Sequence, residues 1–205
     1  MPAQKFKSLD QSLAFYQIAF EQQNFVAPSP SIKMPQRLKE ETFYYRKNFP
    51  YKISEAAICE MILFPILREA LRNYEDLLMI WSHRTLVVNN KLSFIPDYMI
   101  AKQSKMGKIF FENPLLAVVE AKKDDFDLGW GQCSQEMYAL QQLNTNNKIP
   151  VFGIVSNGDD WEFGKLNNKT FILNDNAYTI LHPDELFAAI NYFFEQCKIN
   201  ALKIK

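Results

Sequence analysis

The sequence has little of what most disulfide frameworks and structural metal sites require. Its 205 residues include three cysteines, two histidines and six glycines. The cysteines lie far apart and form no C-x-x-C pair, so we predict neither a disulfide framework nor a zinc site. His83 and His182 have no cysteine or histidine at ligand spacing around them. So few glycines also exclude a collagen-like or linker-like chain.

Long apolar runs and an excess of charge are also missing. The longest apolar stretch, residues 62–67, is far shorter than the roughly 20 residues that span a bilayer. No apolar segment follows the N-terminus, so we expect no signal peptide and a soluble, cytoplasmic protein without membrane contact. The 23 basic and 23 acidic residues cancel. Any nucleic-acid site must therefore be built locally, because the whole chain does not attract a polyanion.

What is present is an alternation of apolar patterns typical of an α/β domain. The strand 115–120, the helix 127–143 and the strand 151–156 fit one right-handed crossover unit. We therefore predict a three-layer sandwich, with a mixed central sheet flanked by helices. Further strands are predicted at 77–81, 84–88, 92–101, 161–166 and 170–173, and further helices at 9–23, 54–73 and 183–197.

Three local expectations accompany this fold. Pro65 should kink or divide the helix 54–73, because proline removes a helical hydrogen bond. The basic tail 198–205 is expected to fray. Residues 1–52 are predicted to be an N-terminal helical and basic-aromatic extension packed on the core, and residues 53–205 the main domain.

Residues 33–52 are locally basic. They hold six lysines or arginines against two glutamates, with phenylalanine and tyrosine interleaved. Basic groups bind phosphates and exposed aromatic rings stack on bases, so Arg46 and Lys47 are candidate substrate-binding residues. The alternative is a loop that packs its aromatic rings on the core and leaves the basic groups outside, and the sequence leaves both open.

The strongest chemical pattern is a set of polar residues at strand ends. Pro96-Asp97 interrupts the predicted strand 92–101. Glu120-Ala121-Lys122 ends the apolar strand 115–120, and Glu120 and Lys122 point to one face. If the two strands pair, two carboxylates and an ammonium group meet at one point.

This grouping suits a hard divalent cation, Mg²⁺ with Mn²⁺ as a substitute, because Mg²⁺ is typically held by one or two carboxylates and several waters. Asp97 and Glu120 would supply the carboxylates, and the carbonyl of Ala121 a further oxygen. Lys122 would orient or deprotonate an attacking water and offset negative charge.

These motifs resemble those of the PD-(D/E)XK nuclease superfamily, which has the restriction-endonuclease-like fold. Pro96-Asp97 matches the first half of the family motif and Glu120-Ala121-Lys122 the second. The resemblance covers about residues 54–173 and is closest in style to the nuclease domains of type I restriction subunits. It implies Mg²⁺-dependent hydrolysis of phosphodiester bonds, most of all in DNA.

The resemblance implies further site residues. Family members often carry a glutamate on the helix before the first core strand, and Glu55 matches that acid, with Glu60 as the alternative. A glutamine often follows the motif lysine on the next helix, so Gln132 and Gln135 are candidate substrate contacts. The matching segments are Ser54-Glu55-Ala56-Ala57, Phe64-Pro65-Ile66-Leu67, Gly131–Tyr138 and Val155–Trp161.

Two other functions stay open at this point. The fold does not guarantee activity, so the chain could be a catalytically idle binding or scaffold module that acts with a protein partner or as a homodimer. Two acids also suit a hydrolase of sugars, although the lysine beside Glu120 fits phosphate better. The sequence does not distinguish DNA from RNA or endonuclease from exonuclease action.

Overall fold

The computed structural model describes residues 6–89, 92–144 and 149–203. The helices are α1 (Leu9–Tyr16), α2 (Gln36–Asn48), α3 (Glu55–Ile58), α4 (Phe64–Leu71), α5 (Phe126–Leu143) and α6 (Pro183–Leu202). The strands are β1 (Ala19–Gln22), β2 (Leu78–Ser82), β3 (Leu86–Asn89), β4 (Leu92–Phe94), β5 (Tyr98–Lys102), β6 (Glu112–Ala121), β7 (Val151–Ser156), β8 (Asp160–Asn167), β9 (Thr170–Leu173) and β10 (Tyr178–Thr179).

One mixed sheet forms the centre of the described residues. Its strands run in the order β1-β9-β8-β7-β6-β5-β2, with β10 paired to β8. β6 and β7 are parallel and α5 connects them, whereas β5 and β6 are antiparallel. β3 and β4 form a separate hairpin.

Helices cover both faces of this sheet. On one face, α1 and α5 pack around Trp130 and Met137, together with Val118 of β6. On the other face, α4 and α6 pack around Ile66 and Phe194 with Val119. β6 is buried on both sides, which explains its continuous apolar run. The predicted α/β class, with a mixed central sheet flanked by helices, is confirmed.

The helical segment after Ser54 contains an extra residue. Ser54 caps α3, because its Oγ accepts the Ala57 N–H at 3.0 Å. Between α3 and α4 lies a π-helical turn, Cys59–Leu63, in which the Phe64 N–H donates to the Cys59 carbonyl. The wide turn ends two residues before Pro65, which stands in the first turn of α4, so the segment is divided near the proline as predicted without ending there.

Three predicted boundaries were wrong. The predicted helix 9–23 stops at Tyr16, because Gln17 takes a left-handed conformation with φ 54° and the next residues pair in parallel with β9 as β1. The predicted strand 92–101 is two strands, separated at Pro96-Asp97. The tail expected to fray continues α6 to Leu202, where Asn200 and Ala201 are buried; residues 204–205 lie outside the described part.

The described part of the N-terminal 52 residues contributes to each layer: α1 packs on α5, β1 joins the edge of the sheet, and α2 contacts the helical segment after Ser54. Within the described ranges, none of the helices has both the length and the apolarity needed to cross a lipid bilayer.

Candidate active site

The structure brings Asp97 and Glu120 together. Tyr98 pairs with Val119 in the antiparallel β5–β6 ladder, so Asp97 lies beside Glu120. The Asp97 N–H donates to Glu120 Oε1 at 3.2 Å, and the Ala121 N–H donates to Asp97 Oδ2 at 2.8 Å. Each carboxylate is therefore held by a backbone amide from the other strand. The Ala121 methyl group packs into the core on the opposite face.

Lys122 completes this arrangement. Its N–H donates to the Ser156 carbonyl at 2.9 Å, which extends the pairing of β6 with β7. Its Nζ lies 3.3 Å from Glu120 Oε2 and 3.4 Å from Glu55 Oε1, and its side chain is only 6% exposed. Burial by itself lowers the pKa of Lys122, but the carboxylates of Glu120 and Glu55 outweigh burial and raise the pKa above its ordinary value. Lys122 is therefore an ammonium cation here.

The two candidate helix acids are placed differently. Glu55 stands in the first turn of α3, contacts Lys122 and lines the same cavity as Asp97. Glu60 lies in the π-helical turn, is exposed and does not line the cavity. The structure thus brings Glu55, and not Glu60, to the predicted metal ligands.

A polar cavity of about 390 Å³ opens over these groups. Its walls come from β4 and the segment after it, from α3 and from α5. Gln135 is buried and its Nε2 donates to the Tyr16 hydroxyl at 3.3 Å. The Oε1 atom of Gln132 is buried without a hydrogen-bond partner among the described residues. The lining residues are Glu55, Ser93, Phe94, Ile95, Asp97, Glu120, Lys122, Gln132, Gln135 and Glu136.

Glu136 is a site residue that the sequence analysis missed. It is 7% exposed, and its carboxyl hydrogen-bonds to Glu120. Burial first, and then the charge of Glu120, raises the pKa of Glu136 well above its usual range. The raised pKa favours the protonated form of Glu136, which is the form that can donate this hydrogen bond to Glu120. Its position four residues after Gln132 on α5 places both side chains on one helix face, and this spacing could have identified it.

His83 is the second missed residue. Its imidazole Nε2 lies 3.4 Å from Asp97 Oδ1, and its backbone N–H donates to the backbone carbonyl of Asp97 at 3.0 Å. It adopts a left-handed φ of 49° directly after β2. No local pattern connects His83 with Asp97, because the contact depends on the register in which Ser82 pairs with Tyr98.

The charges around the cavity do not balance. Burial raises the pKa of Glu120 above its usual range, and the neighbouring charge of Asp97 raises it further.

Across the described residues, no three histidine, cysteine, aspartate or glutamate side chains are arranged to hold a metal ion by themselves. Two carboxylates with waters suffice for Mg²⁺, however, and Asp97 with Glu120 are oxygen donors of the kind it binds.

The two predicted phosphate contacts from the basic segment lie elsewhere. Residues 36–48 form a helix, α2, rather than a loop. Arg46 Nε donates to Asp159 Oδ1 at 2.8 Å, and Lys47 is exposed on the helix surface. Neither residue lines the cavity at Asp97.

Gly129 allows α5 to pack closely against Val155 and Lys122. A Cβ at this position would lie 2.6 Å from Val155 Cγ1 and 2.9 Å from Lys122 Cγ. Alanine gains up to about 1 kcal/mol over glycine in a helix, but overpacking against the stiff valine costs about 1–3 kcal/mol. We therefore expect Gly129→Ala to lower the free energy of unfolding, measured by urea denaturation. An unchanged or higher midpoint would contradict the packing described.

A scan against models of known protein families finds none that matches this chain, and a search of the curated proteins likewise finds no match.

Proposed function

We propose that this chain is a metal-dependent nuclease that hydrolyses phosphodiester bonds, most of all in DNA. The observation that carries the proposal is the meeting of Asp97, Glu120 and Lys122 in one cavity at the ends of two paired strands. A mixed sheet with helices on both faces is compatible with the restriction-endonuclease-like sandwich.

Mg²⁺, or Mn²⁺ in its place, would be held by Asp97 and Glu120, with the Ala121 carbonyl and Glu55 as further oxygen donors. Such a cation, when bound, polarises a phosphoryl oxygen and lowers the pKa of a bound water. The excess of acidic groups in the cavity supports this assignment, because the carboxylates of Asp97, Glu120 and Glu55 face one lysine.

The chain's own residues have separate tasks. Lys122 is a cation rather than a base, so it orients the attacking water and offsets charge on the phosphoryl group. Glu136 donates to Glu120 and fixes the direction in which that carboxylate faces. Gln132 and Gln135 present amide groups to the cavity for contacts with the substrate.

The test is cleavage of labelled single-stranded, double-stranded and branched DNA, with RNA in parallel, in the presence of Mg²⁺, Mn²⁺ or a chelator. We expect cleavage only with a divalent cation and none by Asp97→Asn. Cleavage that is equal in wild type and Asp97→Asn would contradict the site. A wild-type protein that neither cleaves nor binds Mn²⁺ would favour the idle binding module instead.

A further inference from the structure

The β3–β4 hairpin separates two cavities. On one side, Ser93, Phe94 and Ile95 line the cavity that contains Asp97. On the other side, Leu86 and Val87 line a second cavity of about 370 Å³. Leu86 pairs with Phe94 and Val87 with Ser93, so the two cavities share a wall that is one hairpin thick. An extended ligand that crosses this hairpin would contact both cavities.

Phe111 and Arg84 line the second cavity, and Trp81 packs beside them. Trp81 of β2 and Phe111 stack with their ring centroids 4.4 Å apart. The Arg84 guanidinium lies over both rings, 5.6 Å from the centroid of Trp81 and 5.2 Å from that of Phe111. We call Trp81, Arg84 and Phe111 the aromatic platform. Trp81 and Arg84 lie on either side of His83 in the chain, and His83 contacts Asp97, so the platform adjoins the candidate active site.

In the described part of the chain, the basic side chains at this platform form no ion pair. Among the described residues, no carboxylate lies within ion-pair distance of Arg84, or of the exposed Lys105 and Lys108 on the segment that leads to Phe111. The same segment exposes apolar side chains, with Ile109 76% and Phe110 43% exposed. Unpaired basic groups can bind the phosphates of a nucleic-acid strand, and aromatic rings beside them can stack on its bases.

The basic segment 33–52, which contains α2, is the opposite case. Arg46 and Lys52 both bind Asp159, at 2.8 Å each, and Lys39 binds Asp184 at 2.7 Å. Phe43 lies beneath Arg46 at 5.8 Å, so the pair resembles Phe111 with Arg84, but its arginine already has a carboxylate partner. The most basic stretch of the sequence is therefore largely neutralised within the fold.

We propose that the aromatic platform binds an unpaired segment of the nucleic-acid strand whose phosphodiester enters the cavity at Asp97 and Glu120. The inference rests on the proposed function and specifies its substrate as one with a single-stranded segment next to the cleaved bond. A fully paired duplex buries its base faces and has nothing to stack on the platform.

The test measures the binding of a fluorescein-labelled oligo-dT strand and of a blunt duplex in metal-free buffer, by fluorescence anisotropy. Phe111→Ala should weaken binding of the strand by about 5- to 150-fold, as expected for loss of one stacked base, and leave duplex binding unchanged. Arg84→Ala should lower the slope of log affinity against log salt by about 0.7, the value for one phosphate of a single strand. Because Arg84 is exposed, this variant keeps the test informative if Phe111→Ala fails to fold.

Phe43→Ala and Lys47→Ala are the matched controls on α2, and both should bind the strand like wild type. If these controls weaken binding while Phe111→Ala and Arg84→Ala do not, the contact lies on α2 and the proposal is overturned. Equal affinity of the wild type for strand and duplex would also overturn it.

A separate assay distinguishes this failure from failure of the proposed function. Hydrolysis of bis(p-nitrophenyl) phosphate with Mn²⁺ depends on the cavity alone, since this small diester has no strand to stack. Hydrolysis by the wild type, with strand binding unchanged in the platform variants, would refute the platform and support the nuclease site. Selective loss of strand binding without hydrolysis by the wild type would support the platform and refute the nuclease site.

Discussion

Replacement of Lys122 by alanine is expected to reduce phosphodiester cleavage by about 100- to 1,000-fold, the usual effect of removing one preorganised charge or donor from a reacting centre. The reason is geometric: Lys122 Nζ lies 3.3 Å from Glu120 Oε2, in a position that few waters reach. The assay compares kcat and KM for a labelled DNA substrate with saturating Mg²⁺. A lower kcat at similar KM is expected, because the ammonium acts on charge that develops during the reaction.

Lys123→Ala is the matched control. The residue is the next in the chain, carries the same side chain and is exposed outside the cavity. It should retain cleavage close to that of wild type. If Lys122→Ala cleaves as fast as Lys123→Ala, Lys122 has no part in the chemistry and the proposed mechanism fails.

Binding of a divalent cation is expected to stabilise the wild-type protein, and Asp97→Asn and Glu120→Gln are expected to remove that effect. A ligand at 100 times its Kd stabilises the folded state by about 2.7 kcal/mol. For a domain of this size, that corresponds to a rise in Tm of about 5–10 °C. Mn²⁺ should produce this rise because a cation offsets the repulsion between the neighbouring carboxylates of Glu120 and Asp97.

Glu60→Gln serves as the control for charge removal, since Glu60 is exposed and lies outside the cavity. Its Tm should rise with Mn²⁺ as much as that of wild type. The same comparison tests the helix acid, because Glu55→Gln should reduce the rise only in part, in keeping with a side chain that is 48% exposed. A rise that survives in Glu120→Gln would place the cation elsewhere. Anomalous diffraction from Mn²⁺-soaked crystals would then show where.

The layers of the fold could be predicted because they follow from hydrophobic patterning. Residues 115–119 of β6 are continuously apolar and buried, and β7 follows β6 after one long helix. The boundary at Gln17 could not be predicted, since residues 19–22 become a strand only by pairing with β9, about 150 residues further along the chain. Non-local pairing of this kind overrides local propensity.

The residues of the candidate site also fall into a group that the sequence predicts and a group that it does not. Asp97, Glu120 and Lys122 have strong local patterns, namely a proline-interrupted strand and a charged strand end. Glu136 and His83 reach the site through tertiary packing, so their neighbours in sequence say little about them. The pairing of the basic stretch 33–52 could not be predicted either, because Asp159 and Asp184, which neutralise much of it, lie more than 100 residues away.

The π-helical turn at Cys59–Leu63 also fixes the direction in which α3 faces. Each residue of an α-helix turns the chain by about 100° about its axis, so one extra residue sets a new angular relation between the two ends. α4 buries Ile66, Leu67 and Ala70 in the core, while Glu55 turns outward to Lys122. The inserted residue thus changes the rotational relation between the two ends of the segment. One end packs in the apolar core, and the other end presents a carboxylate to the polar cavity.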